Sequence, residues 1–111
     1  MTDELHGGSV ADEALIARIV SGDEAAFTAL FRRRQADVYR VALLMTGSPA
    51  TAEDVTQEVF LVVMREAARY EAGRSTVKAW LCGISRNQAR RRLDRDGRIE
   101  PIAEDQEGEM A

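Results

Sequence analysis

Apolar residues recur at three- and four-residue spacing in four blocks, and residues that start or stop helices separate the blocks. Leu15, Ile16, Ile19 and Val20 form a short first stripe that ends at Ser21-Gly22. Asp23 follows, a residue whose carboxylate accepts from the free amides of a helix start. A longer second helix is therefore predicted, with Phe27, Leu30, Phe31, Val38, Val41, Ala42 and Met45 on one face and Gly47 at its end. Ser48-Pro49 restarts the chain at once, a hydroxyl cap before the residue best tolerated at the first helical position, and the third helix is predicted to reach about Arg69. Its Val55, Val59, Val62 and Val63 point one way. Asp54, Gln57, Glu58, Leu61 and Arg65 share the opposite face. Tyr70 to Arg74, with Gly73, reads as a loop. Ser75 is predicted to cap a fourth helix with Val77, Trp80, Leu81 and Ile84 inward and arginines crowding its second half.

No stretch alternates with the period of a strand, so the predicted fold is all-α, a compact bundle of about four helices. Its expected core is Phe27, Phe31, Val41, Val59, Val63, Trp80 and Ile84. At 111 residues and 45% apolar content the chain has material for one core and too little for two. The predicted domain covers residues 11–97. Residues 1–10 carry glycines and scattered charge without periodicity and read as a mobile tail. Residues 98–111 carry five acidic residues and almost no apolar period, so they read as an acidic linker or tail.

The formal net charge of −4 argues against a polyanion partner until its distribution is considered. Arg74 to Arg98 holds eight basic residues and two acidic ones, a net +6 that leaves −10 for the rest of the chain. Such an arginine run is as often plain solvated surface as a nucleic-acid site. Here Ser75, Thr76, Asn87 and Gln88 accompany it, side chains able to bond base edges or sugars, and Tyr70 and Trp80 offer rings that stack on a base. The spacing of Trp80 places it on the inward stripe. Asp54 and Glu58 resemble a pair of catalytic carboxylates only by spacing, since no histidine pair, phosphate loop or nucleophile elbow accompanies them. An enzyme is not expected, nor a cofactor. Cys82 has no cysteine to pair with, and with only His6 in the chain no metal-ligand cluster is expected. A reducing cytoplasm suits this composition, and no apolar run reaches the length of a membrane span, so no membrane insertion is expected.

Three motifs carry a family resemblance. Ala52-Glu53-Asp54-Val55-Thr56-Gln57-Glu58-Val59-Phe60-Leu61 resembles the AED-x-x-QE-x-F signature of sigma factor region 2.2. Ala79-Trp80-Leu81-Cys82-Gly83-Ile84-Ser85-Arg86-Asn87 resembles the WL-x-x-I-x-RN signature that opens region 2.4 in extracytoplasmic-function sigma factors. Upstream, Ser21-Gly22-Asp23-Glu24-Ala25-Ala26-Phe27 through Val38-Tyr39-Arg40 is similar to the start of the same domain. The three occur in the family's order, over about Leu15 to Arg95.

The resemblance implies a transcription initiation factor domain with two working surfaces. The third helix, with Asp54, Gln57, Glu58, Phe60, Leu61 and Met64, would dock on the clamp helices of the RNA polymerase β′ subunit. Acidic and amide groups on one rigid helix suit charge-assisted bonds to a partner's arginines. The loop Ala68 to Thr76 and the start of the fourth helix would read and help melt the promoter −10 element by capturing a flipped base of the non-template strand. Tyr70, Arg74, Ser75, Lys78, Arg86 and Asn87 are the candidates, while the arginines from Arg90 and Arg91 onward would contact phosphates. Asn87 has the alternative role of holding the loop to the helix. Fewer aromatics stand in this segment than in housekeeping members, which implies weaker melting. The helix-turn-helix domain that binds the −35 element in full-length members is absent, which points to a truncated chain or, alternatively, a natural single-domain regulator. An anti-sigma factor is the usual silencer in this family. The rival reading is a helical protein–protein interaction module without DNA binding.

Overall fold

Short polar side chains open three of the four helices in the computed structural model, which describes residues 10–97. Helix α1 spans Asp12–Val20, α2 Glu24–Thr46, α3 Pro49–Glu66 and α4 Val77–Gly97, with a 3-10 turn at Ala67–Arg69 after α3. The Asp23 carboxylate accepts from the Ala26 amide at 3.2 Å, and Ser48 Oγ accepts from the Thr51 amide at 3.2 Å. For α4 the cap is one residue later than predicted: Thr76 Oγ1, not Ser75, accepts from the Ala79 amide, at 3.0 Å. Gly47 (φ 69°) ends α2 in the left-handed region, its amide donating to the Leu43 carbonyl at 2.8 Å.

The long α2 lies at the centre and packs against each of the other three helices. Leu30, Val38 and Ala42 of α2 are fully buried among Leu15 and Ile16 of α1, Ala52, Val55, Val59 and Val63 of α3, and Val77, Leu81 and Ala89 of α4. Of the expected core, Val59 and Val63 lie at this centre. Phe27, Phe31, Trp80 and Ile84 pack around its edge and stay partly exposed, and Val41 is half-buried. The fully buried alanines Ala26, Ala42, Ala52 and Ala89 account for this: small residues on the facing stripes let the helix axes approach and push bulky rings to the margins.

Two hydroxyls are taken into the core with their bonds made. Ser85 Oγ donates to the Val38 carbonyl at 3.0 Å and joins α4 to α2, while Thr56 Oγ1 donates to the Ala52 carbonyl at 2.8 Å within α3. Asp12 ties α1 to α2, accepting from Arg33 Nη1 at 2.8 Å and from Arg34 Nε at 2.9 Å. Burial opposes the charge on Arg34, but its hydrogen bonds to Asp37 and Asp12 outweigh that and raise its pKa above the ordinary value. Arg33 Nη1 also donates to the Val10 carbonyl at 2.7 Å, and Val10 packs on the core, so the last residue of the expected tail is part of the domain. The rest of that tail and the acidic segment 98–111 lie outside the described residues.

Gly83 sits in the interior of α4, where a methyl group in place of its hydrogen would meet nothing within 4 Å. Gly83→Ala is therefore expected to stabilise the fold by about 0.5–1 kcal/mol, through the lower entropy of the unfolded chain. Urea titration followed by circular dichroism checks this, and a lower midpoint would show a close neighbour at that site.

Candidate functional site

Helix α3 turns Val55, Val59 and Val63 inward, which leaves Asp54, Gln57, Leu61 and Met64 exposed and Glu58 half-exposed on the outer face. Leu61 and Met64 are 52% and 57% exposed, so the polar face carries an apolar end. Phe60, predicted to dock with them, is a correction: it is 3% exposed and points into the bundle. Its ring meets Phe31 edge-on at 5.0 Å and Phe27 at 6.3 Å between centroids, so it holds α3 to α2 rather than waiting for a partner.

The loop after α3 is pinned by Tyr70. Its hydroxyl donates to the Ser75 carbonyl at 2.7 Å, and its half-buried ring lies 5.3 Å from that of Trp80 between centroids. Partial burial, then the carboxylates of Glu13 and Asp12, hold the phenol above its ordinary pKa of 10.0, so it remains a donor across the neutral range. The two aromatics proposed to stack on a base thus pack against each other, their planes tilted by 57°. Within the span they close, Gly73 (φ 95°) allows a turn whose Arg74 amide bonds the Glu71 carbonyl at 3.2 Å. Arg74 and Ser75 are exposed on it, the former paired with Glu71 at 3.1 Å. Lys78 is exposed in the first turn of α4, 3.8 Å from Asp37.

The remaining candidates lie further along α4. Asn87, Arg90 and Arg91 line a groove of about 580 Å³ between α3 and α4, and Arg86 is exposed nearby in sequence. Lys78 and Arg90 are about 18 Å apart along the helix axis, so the proposed DNA residues form two clusters and not one. Arg90 donates to the Asn87 side-chain oxygen at 3.1 Å, which bears on the alternative role of Asn87: it holds an arginine, not the loop. Arg65 in the last turn of α3, Arg69 in the 3-10 turn that follows it, and Gln88 also line the groove. Spacing alone places Arg65 on the outer face of α3 with Asp54 and Gln57; two arginines four residues apart beside a basic helix are the signal for the groove. Arg92, one residue beyond Arg91 and so about 100° around the helix, turns the other way. Its Nη2 donates to Asp54 Oδ2 at 2.8 Å, and Nη1 lies 3.7 Å from Glu58 Oε2. Among the described residues no group of acidic, histidine and cysteine side chains is placed to hold a metal, and no helix is long and apolar enough to cross a membrane.

Residues 30–99, from the early turns of α2 to beyond α4, match the sigma-70 region 2 family. The chain belongs to that family. It is 36% identical over 109 residues to the ECF RNA polymerase sigma factor SigE of Mycolicibacterium smegmatis, covering 94% of this chain and 39% of that protein. Similarity to SigK of Mycobacterium tuberculosis H37Rv, also an ECF RNA polymerase sigma factor, is 29% over 77 residues, or 69% of this chain and 41% of the relative. The chain thus spans about two fifths of the length of these relatives and is a region 2 domain of the ECF type. As a region 2 domain it places both of its α3 and α4 motifs inside the matched span. The acidic face lies on α3, and the groove between α3 and α4 is lined by Glu66 and Asp94 as well as by its four arginines.

Proposed function

We propose that this region 2 domain recruits RNA polymerase through the outer face of α3 and engages promoter DNA through the loop and α4, as part of a transcription initiation factor. One observation carries the reading: Asp54, Gln57, Leu61 and Met64 stand exposed in one row, beside a helix whose exposed arginines include Arg86, Arg90 and Arg91. A row of carboxylate and amide groups with an apolar end suits a partner helix that brings arginines and aliphatic side chains, and the β′ clamp helices are that partner. The groove cations Arg65, Arg69, Arg90 and Arg91 suit a phosphate backbone, while Arg74, Ser75 and Lys78 flank the pinned loop where the −10 element of the non-template strand is read. Both partners reside in the cytoplasm. An anti-sigma factor that covered either surface would silence the domain.

Titration calorimetry with a β′ coiled-coil fragment tests the first surface. Wild type binds, while Asp54→Ala and Gln57→Ala each weaken binding about tenfold, the loss of one charge-assisted or well-oriented hydrogen bond, and leave helicity unchanged. Absence of wild-type binding would favour the interaction module that binds other proteins and no polymerase.

A further inference from the structure

Arg92 belongs by sequence to the arginine run of α4 and by structure to the acidic face of α3. Its side chain is 19% exposed, against 55% for Asp54 and 41% for Glu58, so the cation lies beneath the two carboxylates and they lie outside it. A phosphate approaching from solvent would meet the carboxylates first, and they repel it. Asp54 and Glu58 are also four residues apart on one helix, a spacing at which like charges repel each other. A guanidinium set between them offsets that repulsion and limits the rotamers either can adopt.

We propose that Arg92 is a positioning residue for the polymerase-binding face, holding Asp54 and Glu58 in the geometry their partner meets, and that it makes no contact with promoter phosphates. The proposal rests on the docking role of α3. Arg92 takes Oδ2 of Asp54 and leaves Oδ1 for an incoming donor, and a carboxylate has lone pairs enough for both. Among the described residues its buried Nη1 has no hydrogen-bond partner, and it faces Glu58 from 3.7 Å, so a shift of under about 1 Å in Glu58 completes the second bond. Binding that draws Glu58 into line is thereby favoured. The planar fork is what allows one side chain to serve two carboxylates, and lysine lacks it.

The test uses the full chain with sigma-free core RNA polymerase, and separately with a single-stranded oligonucleotide across a salt series. Wild-type binding to the polymerase is the control for the docking role. Arg92→Ala is expected to weaken polymerase binding by about 5- to 30-fold and Arg92→Lys by less, while neither changes the slope of log affinity for the oligonucleotide against log salt. In the background of Asp54→Ala with Glu58→Ala, the further change Arg92→Ala has little additional effect, because the groups it positions are gone. That comparison and the lysine variant separate positioning from a general loss of fold. If wild type binds polymerase and Arg92→Ala binds equally well or more tightly, Arg92 is a bystander or a competitor for the carboxylates, and the proposal fails while the docking role stands. A slope reduced by about 0.7 in Arg92→Ala identifies a phosphate contact and overturns it as well. No wild-type binding removes the docking role itself, and the proposal with it.

Discussion

Phe60→Ala is expected to cost about 3–5 kcal/mol, the usual range for emptying a buried aromatic site, which is a large part of the roughly 5–15 kcal/mol that stabilises a small domain. The loss has two sources. The ring is almost wholly removed from water, and it makes edge-on contacts with both Phe31 and Phe27, so α3 and α2 lose their shared aromatic seam together. Each kcal/mol shifts the melting temperature of a domain this size by about 4–8 °C, so thermal denaturation followed by circular dichroism shows the effect directly. Phe60→Leu keeps most of the volume and gives the contrast. It should lose far less stability and leave affinity for polymerase unchanged. A Phe60→Ala chain that melted like wild type yet bound polymerase poorly would return Phe60 to the docking face.

The second large effect is on salt dependence. If Arg74, Lys78, Arg86, Arg90 and Arg91 each neutralise one phosphate, affinity for a −10-type single strand should fall about 100-fold between 50 and 200 mM monovalent salt, from about 0.7 counterions released per contact. Arg90→Ala and Arg91→Ala should each reduce the slope by about 0.7, with similar losses for every sequence tested, as phosphate contacts do. Fluorescence anisotropy over a salt series measures both. Salt-insensitive binding, or none, would identify the arginines as solubilising surface and favour the interaction module. Arg65→Ala and Arg69→Ala belong in the same series, since the groove places them beside Arg90 and Arg91.

The helices and most of their ends are legible in the sequence because they depend on neighbours in the chain, although α3 stops at Glu66 and a 3-10 turn fills the stretch to Arg69 that its pattern assigns to the helix. Asp23 and Ser48 cap their helices, Gly47 ends α2, and Val55, Val59 and Val63 lie inward as their period requires, whereas Val62 of the same expected stripe is half-buried and lines the groove. The misplaced cap at Ser75 shows the limit of that logic. Ser75 and Thr76 are equally good caps by type, and the Tyr70 hydroxyl, by binding the Ser75 carbonyl, accompanies a start one residue later.

What only the tertiary structure decided concerns residues whose environment comes from another helix. Phe60 stands one position from a face of exposed side chains, and the phenylalanines of α2 draw it inward. Arg92 and Arg91 are adjacent and chemically identical, yet one meets the carboxylates of Asp54 and Glu58 across the bundle and the other lines an open groove. Ser85 is polar by type yet wholly buried, and its acceptor, the Val38 carbonyl 3.0 Å away, comes from another helix. Periodicity tells which residues share a face, because that depends on backbone geometry alone. It does not tell what a face meets, since helices packed in three dimensions bring together residues far apart in the chain, as Ser85 and Val38 are at 47 positions.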